Sequence, residues 1–225
     1  MNKLLVMNSL EKLSKYIDHT LLKPSATKKE IDILCNQALE YNFMSVCINP
    51  VHVSFCSKIL NKSNIKICTV VGFPLGANKL IQKCAETSAA IDEGAKEIDM
   101  VMNIGSFKDK NYDFVLSEIQ SVVLSANKNI VKVIIETGLL SRSEIIRACN
   151  IVNDSDAHFI KTSTGFAKKE LTVSDIKLIK KNITSKKKIK ASGGIKTLSK
   201  LRGMLDAGAN RIGTSSGVQI MKELL

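Results

Sequence analysis

The chain repeats one motif along its whole length, a short run rich in β-branched apolar residues followed by a longer amphipathic segment. Eight such runs are legible: Tyr16 to Leu22, Ser45 to Ile48, Lys66 to Val71, Glu97 to Asn103, Val131 to Glu136, His158 to Lys161, Ile189 to Ser192 and Arg211 to Gly213. Helix-period segments lie between them, at Thr27 to Tyr41, Lys79 to Gly94, Asp113 to Ala126 and Ser141 to Asn153. Thr27 with Glu30, and Ser141 with Glu144, have the spacing of capping boxes, and Gly94 and Gly208 stand where helices should stop. Runs such as Val131-Lys132-Val133-Ile134-Ile135 are nearly continuous in apolar residues, as parallel strands covered on both faces must be. Eight βα cycles in 225 residues predict an α/β fold, a (β/α)8 TIM barrel with an additional N-terminal helix through about Lys15. A doubly wound open sheet is the alternative with the same alternation. No Pro/Gly/Ser-rich linker interrupts the chain, so residues 1–225 read as one domain.

In a barrel of this kind polar residues at the C-terminal strand ends line the mouth. The expected set is Asp18-His19-Thr20, Cys47, Asp99 with Asn103, Lys132 with Glu136, Lys161, Lys190 and Ser192. Two lysines stand out: Lys161 in Phe159-Ile160-Lys161-Thr162-Ser163-Thr164-Gly165-Phe166, and Lys190 in Lys188-Ile189-Lys190-Ala191-Ser192-Gly193-Gly194. A lysine ending a buried run is costly to desolvate and is retained for its amine. On adjacent strands, two ammonium groups about 4 Å apart repel by roughly 4 kcal/mol at an effective dielectric near 20, enough to bring one amine to about 7–8. A neutral lysine attacks carbonyls to form a Schiff base, and Asp99 is the carboxylate placed to move the protons of that chemistry. Cys47 reads as a small buried hydrophobe, because no His–acid partner accompanies it.

Glycine turns at Gly165, Gly193-Gly194 and Gly213-Thr214-Ser215-Ser216-Gly217 let backbone N–H groups close on an oxyanion, and loops after the last strands of a barrel commonly hold phosphate. The net charge of +12 suits an anionic partner. Nucleic acid is disfavoured, since aromatics make up 4% of the chain, Trp is absent and the arginines are only Arg142, Arg147, Arg202 and Arg211. The six cysteines show no C-x-x-C pair and no His at zinc spacing, so they read as reduced thiols and no metal is expected. Leu4-Leu5-Val6-Met7 is too short for a signal-peptide core, and no run approaches a membrane span. A cytoplasmic protein with no membrane partner is the expectation.

The segments Tyr16-Ile17-Asp18-His19-Thr20-Leu21-Leu22-Lys23-Pro24, Val46-Cys47-Ile48-Asn49-Pro50, Val71-Gly72-Phe73-Pro74-Leu75-Gly76, Glu97-Ile98-Asp99-Met100-Val101-Met102-Asn103-Ile104-Gly105 and Lys132-Val133-Ile134-Ile135-Glu136-Thr137-Gly138, with the stretches around Lys161, Lys190 and Gly213, resemble the 2-deoxyribose-5-phosphate aldolase family. The resemblance implies a class I aldolase that cleaves a small phosphorylated sugar through a lysine Schiff base and needs no cofactor. It implies Lys161 as the Schiff-base lysine, Lys190 as the second lysine that tunes it and Asp99 as proton donor and acceptor. It implies that Asp18, Thr20, Lys132 and Thr164 contact the sugar chain or a catalytic water. Gly165, Gly193, Gly194, Gly213, Ser215 and Ser216 fall to the phosphate. Phe166 stands where some members carry a basic residue, and the chain ends at Leu225 without the longer tail of some relatives. Another lysine aldolase acting on a different phosphorylated sugar stays open, as does the choice between homodimer and homotetramer.

Overall fold

The computed structural model describes residues 12–167 and 170–224. Among them eight parallel strands run in sequence order: β1 (Ile17–Leu21), β2 (Ser45–Ile48), β3 (Lys66–Val71), β4 (Glu97–Val101), β5 (Ile130–Ile134), β6 (Phe159–Lys161), β7 (Lys188–Ser192) and β8 (Arg211–Thr214). β1 pairs with β2 on one side and with β8 on the other, through Asp18 opposite Gly213, so the sheet closes. Closure decides for the TIM barrel over the open sheet. Around it pack α1 (Lys28–Glu40), α2 (Val53–Leu60), α3 (Leu80–Asp92), α4 (Ile104–Lys108), α5 (Tyr112–Ser125), α6 (Arg142–Asp154), α7 (Val173–Asn182), α8 (Leu198–Asp206) and α9 (Gly217–Lys222). Residues 12–14 are helical; the rest of the expected leading helix, with Leu4 to Met7, lies outside the described residues.

Local chemistry starts these helices where their sequences indicate. Thr27 and Ser141 each accept the backbone N–H three residues on while Glu30 and Glu144 reach back, two complete capping boxes, and Thr172 with Asp175 makes a third. Strands end earlier than the apolar runs suggest. Asn103 is the N-cap of α4, and Glu136 has a left-handed φ of 53°, so both belong to the turns beyond β4 and β5.

The strands alternate strictly. Ile17, Val46, Ile67, Ile98, Val131, Ile160, Ile189 and Ile212 belong to the main apolar core, and their periodicity sends them outward against the helices. The residues between them face the barrel axis, because their side chains meet across non-neighbouring strands: Lys161 on β6 and Lys190 on β7 both reach Asp99 on β4, and Arg211 on β8 reaches Glu97 on β4. Runs that look uniformly apolar thus hide a polar inner face. No helix among the described residues is long and apolar enough to cross a membrane.

Candidate active site

Asp99 stands at the middle of the barrel, fully buried, with both oxygens engaged. Oδ2 accepts from Lys161 Nζ and from Lys190 Nζ at 2.7 Å each, and Oδ1 accepts from Lys132 Nζ at 2.8 Å and from the Cys68 thiol at 3.2 Å. A second tier of carboxylates lies beside the lysines. Lys190 Nζ is 2.6 Å from Asp18 Oδ2, and Lys132 Nζ is 2.6 Å from Glu97 Oε2, both close ion pairs. Arg211 joins this tier, with Nε donating to Asp18 Oδ1 at 2.8 Å and Nη2 to Glu97 Oε2 at 3.0 Å.

The charges hold each other in place. Burial alone would raise the Asp99 carboxyl, but Lys132, Lys161 and Lys190 together hold it well below the ordinary carboxylate range. Asp18 is likewise pushed up by burial and brought far down by Lys190 and Arg211. Burial pulls Lys132 and Lys190 down, yet their carboxylate neighbours raise both above the ordinary lysine value. This corrects the expectation of bare repulsion between Lys161 and Lys190. The shared Asp99 oxygen sits between them, and Lys190 carries a second carboxylate, so Lys190 keeps its proton firmly. Asp99 is ionised in the resting site and accepts a proton before it can donate one.

Above the cluster opens a cavity of about 470 Å³, lined by Thr20, Lys23, Lys161, Thr164, Gly165, Phe166, Ser192, Gly193, Gly194, Lys196, Gly213 and Ser215, among others. Side-chain bonds hold its walls. Glu136 Oε2 accepts from the Thr164 backbone at 3.1 Å and from the Thr164 hydroxyl, while Ser192 Oγ donates to Ser163 O at 2.6 Å. Gly193 and Gly194 have φ of +103° and +69°, a backbone that L side chains rarely adopt, so the turn after β7 depends on glycine. Phe166 packs edge-on against Phe73 at 5.3 Å, closing one side of the mouth with apolar rings.

The site residues expected from sequence separate into two levels. Thr20, Lys161, Thr164, Gly165, Gly193, Gly194, Gly213 and Ser215 line the cavity. Asp18, Asp99, Lys132 and Lys190 lie beneath it, fully buried and inside the strands rather than at their ends. The Ser216 amide already donates to Thr214 Oγ1 at 2.9 Å. Gly213 also has a second task, since a Cβ there would come within 3.1 Å of Lys190 Cε. Glu97, Arg211, Cys68 and Lys196 were not singled out from sequence. Glu97 and Arg211 did carry a signal: each is a charge two residues before an inward-facing strand position, and period two sends both to the same face.

Cys47, Cys68 and Asp99 bring ligand atoms within 4.8 Å of one another, a juxtaposition made by the β2–β3 register that places Cys47 opposite Cys68. The donor set does not suit a metal, because three ammonium groups occupy the Asp99 oxygens and would oppose a dication.

Comparison with known proteins identifies the family of the chain. Residues 12–223 match the model of the DeoC/LacD family aldolases. The deoxyribose-phosphate aldolase of Mycoplasma capricolum subsp. capricolum is 51% identical over 210 residues, covering 93% of this chain and 95% of that protein. The deoxyribose-phosphate aldolase of Staphylococcus epidermidis is 51% identical over 211 residues, covering 94% of this chain and 96% of that one. Among solved structures, the aldolase QR15 superposes with a TM-score of 0.91 at 43% identity, covering 94% of this chain and 95% of its own. A buried lysine cluster under the mouth of a barrel, in a chain that matches the family along nearly its whole length, places this protein in the DeoC/LacD family of aldolases.

Proposed function

We propose that this chain is a deoxyribose-phosphate aldolase that reversibly cleaves 2-deoxy-D-ribose 5-phosphate to acetaldehyde and D-glyceraldehyde 3-phosphate through a Schiff base on Lys161. The observation that carries the reading is the position of Lys161. It is the member of the lysine cluster that lines the cavity, and it has one carboxylate contact, Asp99 at 2.7 Å, where Lys132 and Lys190 have two each.

The free amine adds to the C1 aldehyde of the open-chain sugar, and loss of water gives an iminium. The C3 hydroxyl then gives up its proton, the C2–C3 bond breaks with its electron pair moving toward the iminium, and glyceraldehyde 3-phosphate departs. The enamine left on Lys161 is protonated at C2 and hydrolysed to acetaldehyde. Protons must be taken up and returned beside Lys161 throughout. Asp99 is the acceptor in contact with that nitrogen, and its own oxygens stay paired with the ammonium groups of Lys132 and Lys190 as Lys161 becomes neutral.

The phosphate is assigned to the rim formed by Gly165, Gly193, Gly194 and Ser215, with Ser216 behind it. Lys196 on the same wall supplies the cation that Phe166 does not. Thr20 and Thr164 offer hydroxyls along the path between rim and amine. Asp18 and Lys132 act on the sugar through Lys190 and Asp99, which they touch. Residues 1–225 are taken as one barrel domain working in the cytoplasm, in keeping with six free thiols.

Treatment with acetaldehyde and borohydride tests the reading. A single ethyl adduct on the peptide carrying Lys161 is expected; adduct formation on another lysine, or none, would sink it.

A further inference from the structure

Arg211 lies at the floor of the barrel, at the start of β8, where it borders a second cavity and stands away from the mouth cavity. It is 6% exposed, and its guanidinium forks between two carboxylates. Nε donates to Asp18 Oδ1 at 2.8 Å, with Nη2 also on that oxygen, while Nη1 and Nη2 reach Glu97 Oε1 at 3.2 Å and Oε2 at 3.0 Å. Ser45 Oγ adds a bond to Asp18 Oδ1 at 2.7 Å. From there two chains of contacts climb to the nucleophile. One runs Asp18, Lys190, Asp99, Lys161, with steps of 2.6, 2.7 and 2.7 Å. The other runs Glu97, Lys132, Asp99, with steps of 2.6 and 2.8 Å.

The charges of this network do not cancel. Lys132, Lys161, Lys190 and Arg211 are four cations, and Asp18, Glu97 and Asp99 are three carboxylates, which leaves one positive charge in excess. Buried, that excess is costly, and loss of one proton removes it. Arg211 cannot be the group that loses it, because a guanidinium stays protonated in proteins. Lys132 and Lys190 each touch two carboxylates, which hold their protons on. Lys161 shares one carboxylate and faces the cavity.

We propose that Arg211 is the positioning residue that frees the nucleophile. Its permanent charge creates the surplus, and its fork keeps Asp18 and Glu97 on Lys190 and Lys132, so the surplus is relieved at Lys161. This rests on the Schiff-base reading of Lys161. The thiols of Cys47 on β2 and Cys68 on β3 face the network, within reach of Asp99 at 3.8 and 3.2 Å, and His158 before β6 lies near enough to Lys132 that, after burial and Lys187, this ammonium helps hold its imidazole below the ordinary value. Lys12, Lys15 and Lys188 border a second cavity below Arg211, on the solvent side of the barrel floor. The two thiols could offset the surplus in place of a lysine, and the experiment separates them from it. Burial pushes the Cys68 thiol up, toward the neutral form, whereas its contact with Cys68 brings the Cys47 thiol down to about 7 against burial, so Cys47 is the competitor the experiment must remove.

The test measures the rate of acetaldehyde–borohydride trapping at Lys161, and of aldol cleavage, as a function of pH. Arg211→Met brings the count to three cations against three carboxylates, so no proton need leave. The acid limb should move upward by about one pH unit or more, with the rate recovering at high pH. Arg211→Lys keeps the charge and should keep the limb near that of the wild type. The double variant Arg211→Met/Glu97→Gln restores a surplus of one, and removes a carboxylate that Arg211→Met leaves with Lys132 as its one cationic contact among the described residues; its limb should return toward the wild type. Unmoved limbs in all three variants, with normal trapping at Lys161 in the wild type, would overturn the proposal and leave the Schiff-base reading standing. A shift that disappears when the series is repeated in a Cys47→Ser background would overturn it in favour of the thiol. No adduct in the wild type would instead remove the Schiff-base reading itself.

Discussion

Gly213 leaves the space that Lys190 fills. A Cβ at Gly213 would stand 3.1 Å from Lys190 Cε and 3.2 Å from Ser192 Cβ, closer than packed side chains ordinarily come. The strand β8 therefore passes beneath the lysine only because it lacks a side chain there. Gly213→Ala should displace Lys190 from Asp99 by a few tenths of an ångström and lower kcat by about tenfold or more, with a small change in KM. Steady-state kinetics on deoxyribose 5-phosphate read this directly, and a wild-type kcat would show that Lys190 has slack.

Replacing Lys161 should remove activity without weakening the fold. Lys161→Met deletes the nucleophile at the position where the surplus proton is already shed, and it leaves the Asp99 carboxylate paired with Lys132 and Lys190. Cleavage should fall to background while the thermal midpoint stays level or rises. A variant that loses its midpoint along with its activity would contradict the charge count.

The phosphate rim predicts a different kinetic pattern. Lys196→Ala removes a cation from the cavity wall, and should raise KM for the phosphorylated sugar about tenfold, with little effect on unphosphorylated 2-deoxyribose. An equal loss for both sugars would place Lys196 outside the phosphate subsite.

A second buried ion pair tests packing alone. Lys83 Nζ donates to Glu118 Oε1 at 2.7 Å and to Val101 O at 2.8 Å, between α3 and α5, and Glu118 Oε2 accepts from the Asn103 backbone. Burial pushes Glu118 above and Lys83 below its ordinary value, so the pair is held against a desolvation cost. Lys83→Met should cost about 3–5 kcal/mol by stranding the carboxylate, whereas Lys83→Met/Glu118→Gln should cost clearly less. Urea unfolding of both variants decides it; equal losses would mean that the contact to Val101 dominates.

Acid stability should follow Asp99. Its carboxyl is held below the ordinary 3.8, so between the folded value and 3.8 the unfolded chain binds the extra proton. The stabilisation is complete above 3.8 and is lost as pH falls toward the folded value, at about 1.4 kcal/mol per pH unit. Asp99→Asn should therefore be less stable at neutral pH and show a shallower decline below pH 4 (about 1.4 kcal/mol per unit less). Parallel stability–pH curves would show that Asp99 does not carry the linkage.

Much of this protein is determined by local order along the chain. Alternating β-branched runs and capped amphipathic segments specify eight βα units, because capping boxes such as Thr27–Glu30 and Ser141–Glu144 act within four residues. The two lysines and Asp99 were visible for the same reason: a charge inside an apolar run is conspicuous wherever it falls. What the tertiary structure decided is which charges meet. Closure through the Asp18–Gly213 register brings β8 beside β1, and only then does Arg211 reach both Asp18 and Glu97, which lie 193 and 114 positions from it along the chain. The protonation of Lys161's neighbours likewise depends on distances of 2.6 to 2.7 Å across non-neighbouring strands, and a repulsion estimated from two lysines alone leaves out the carboxylate between them. Electrostatic energy varies with distance and burial, and neither is written in the order of residues.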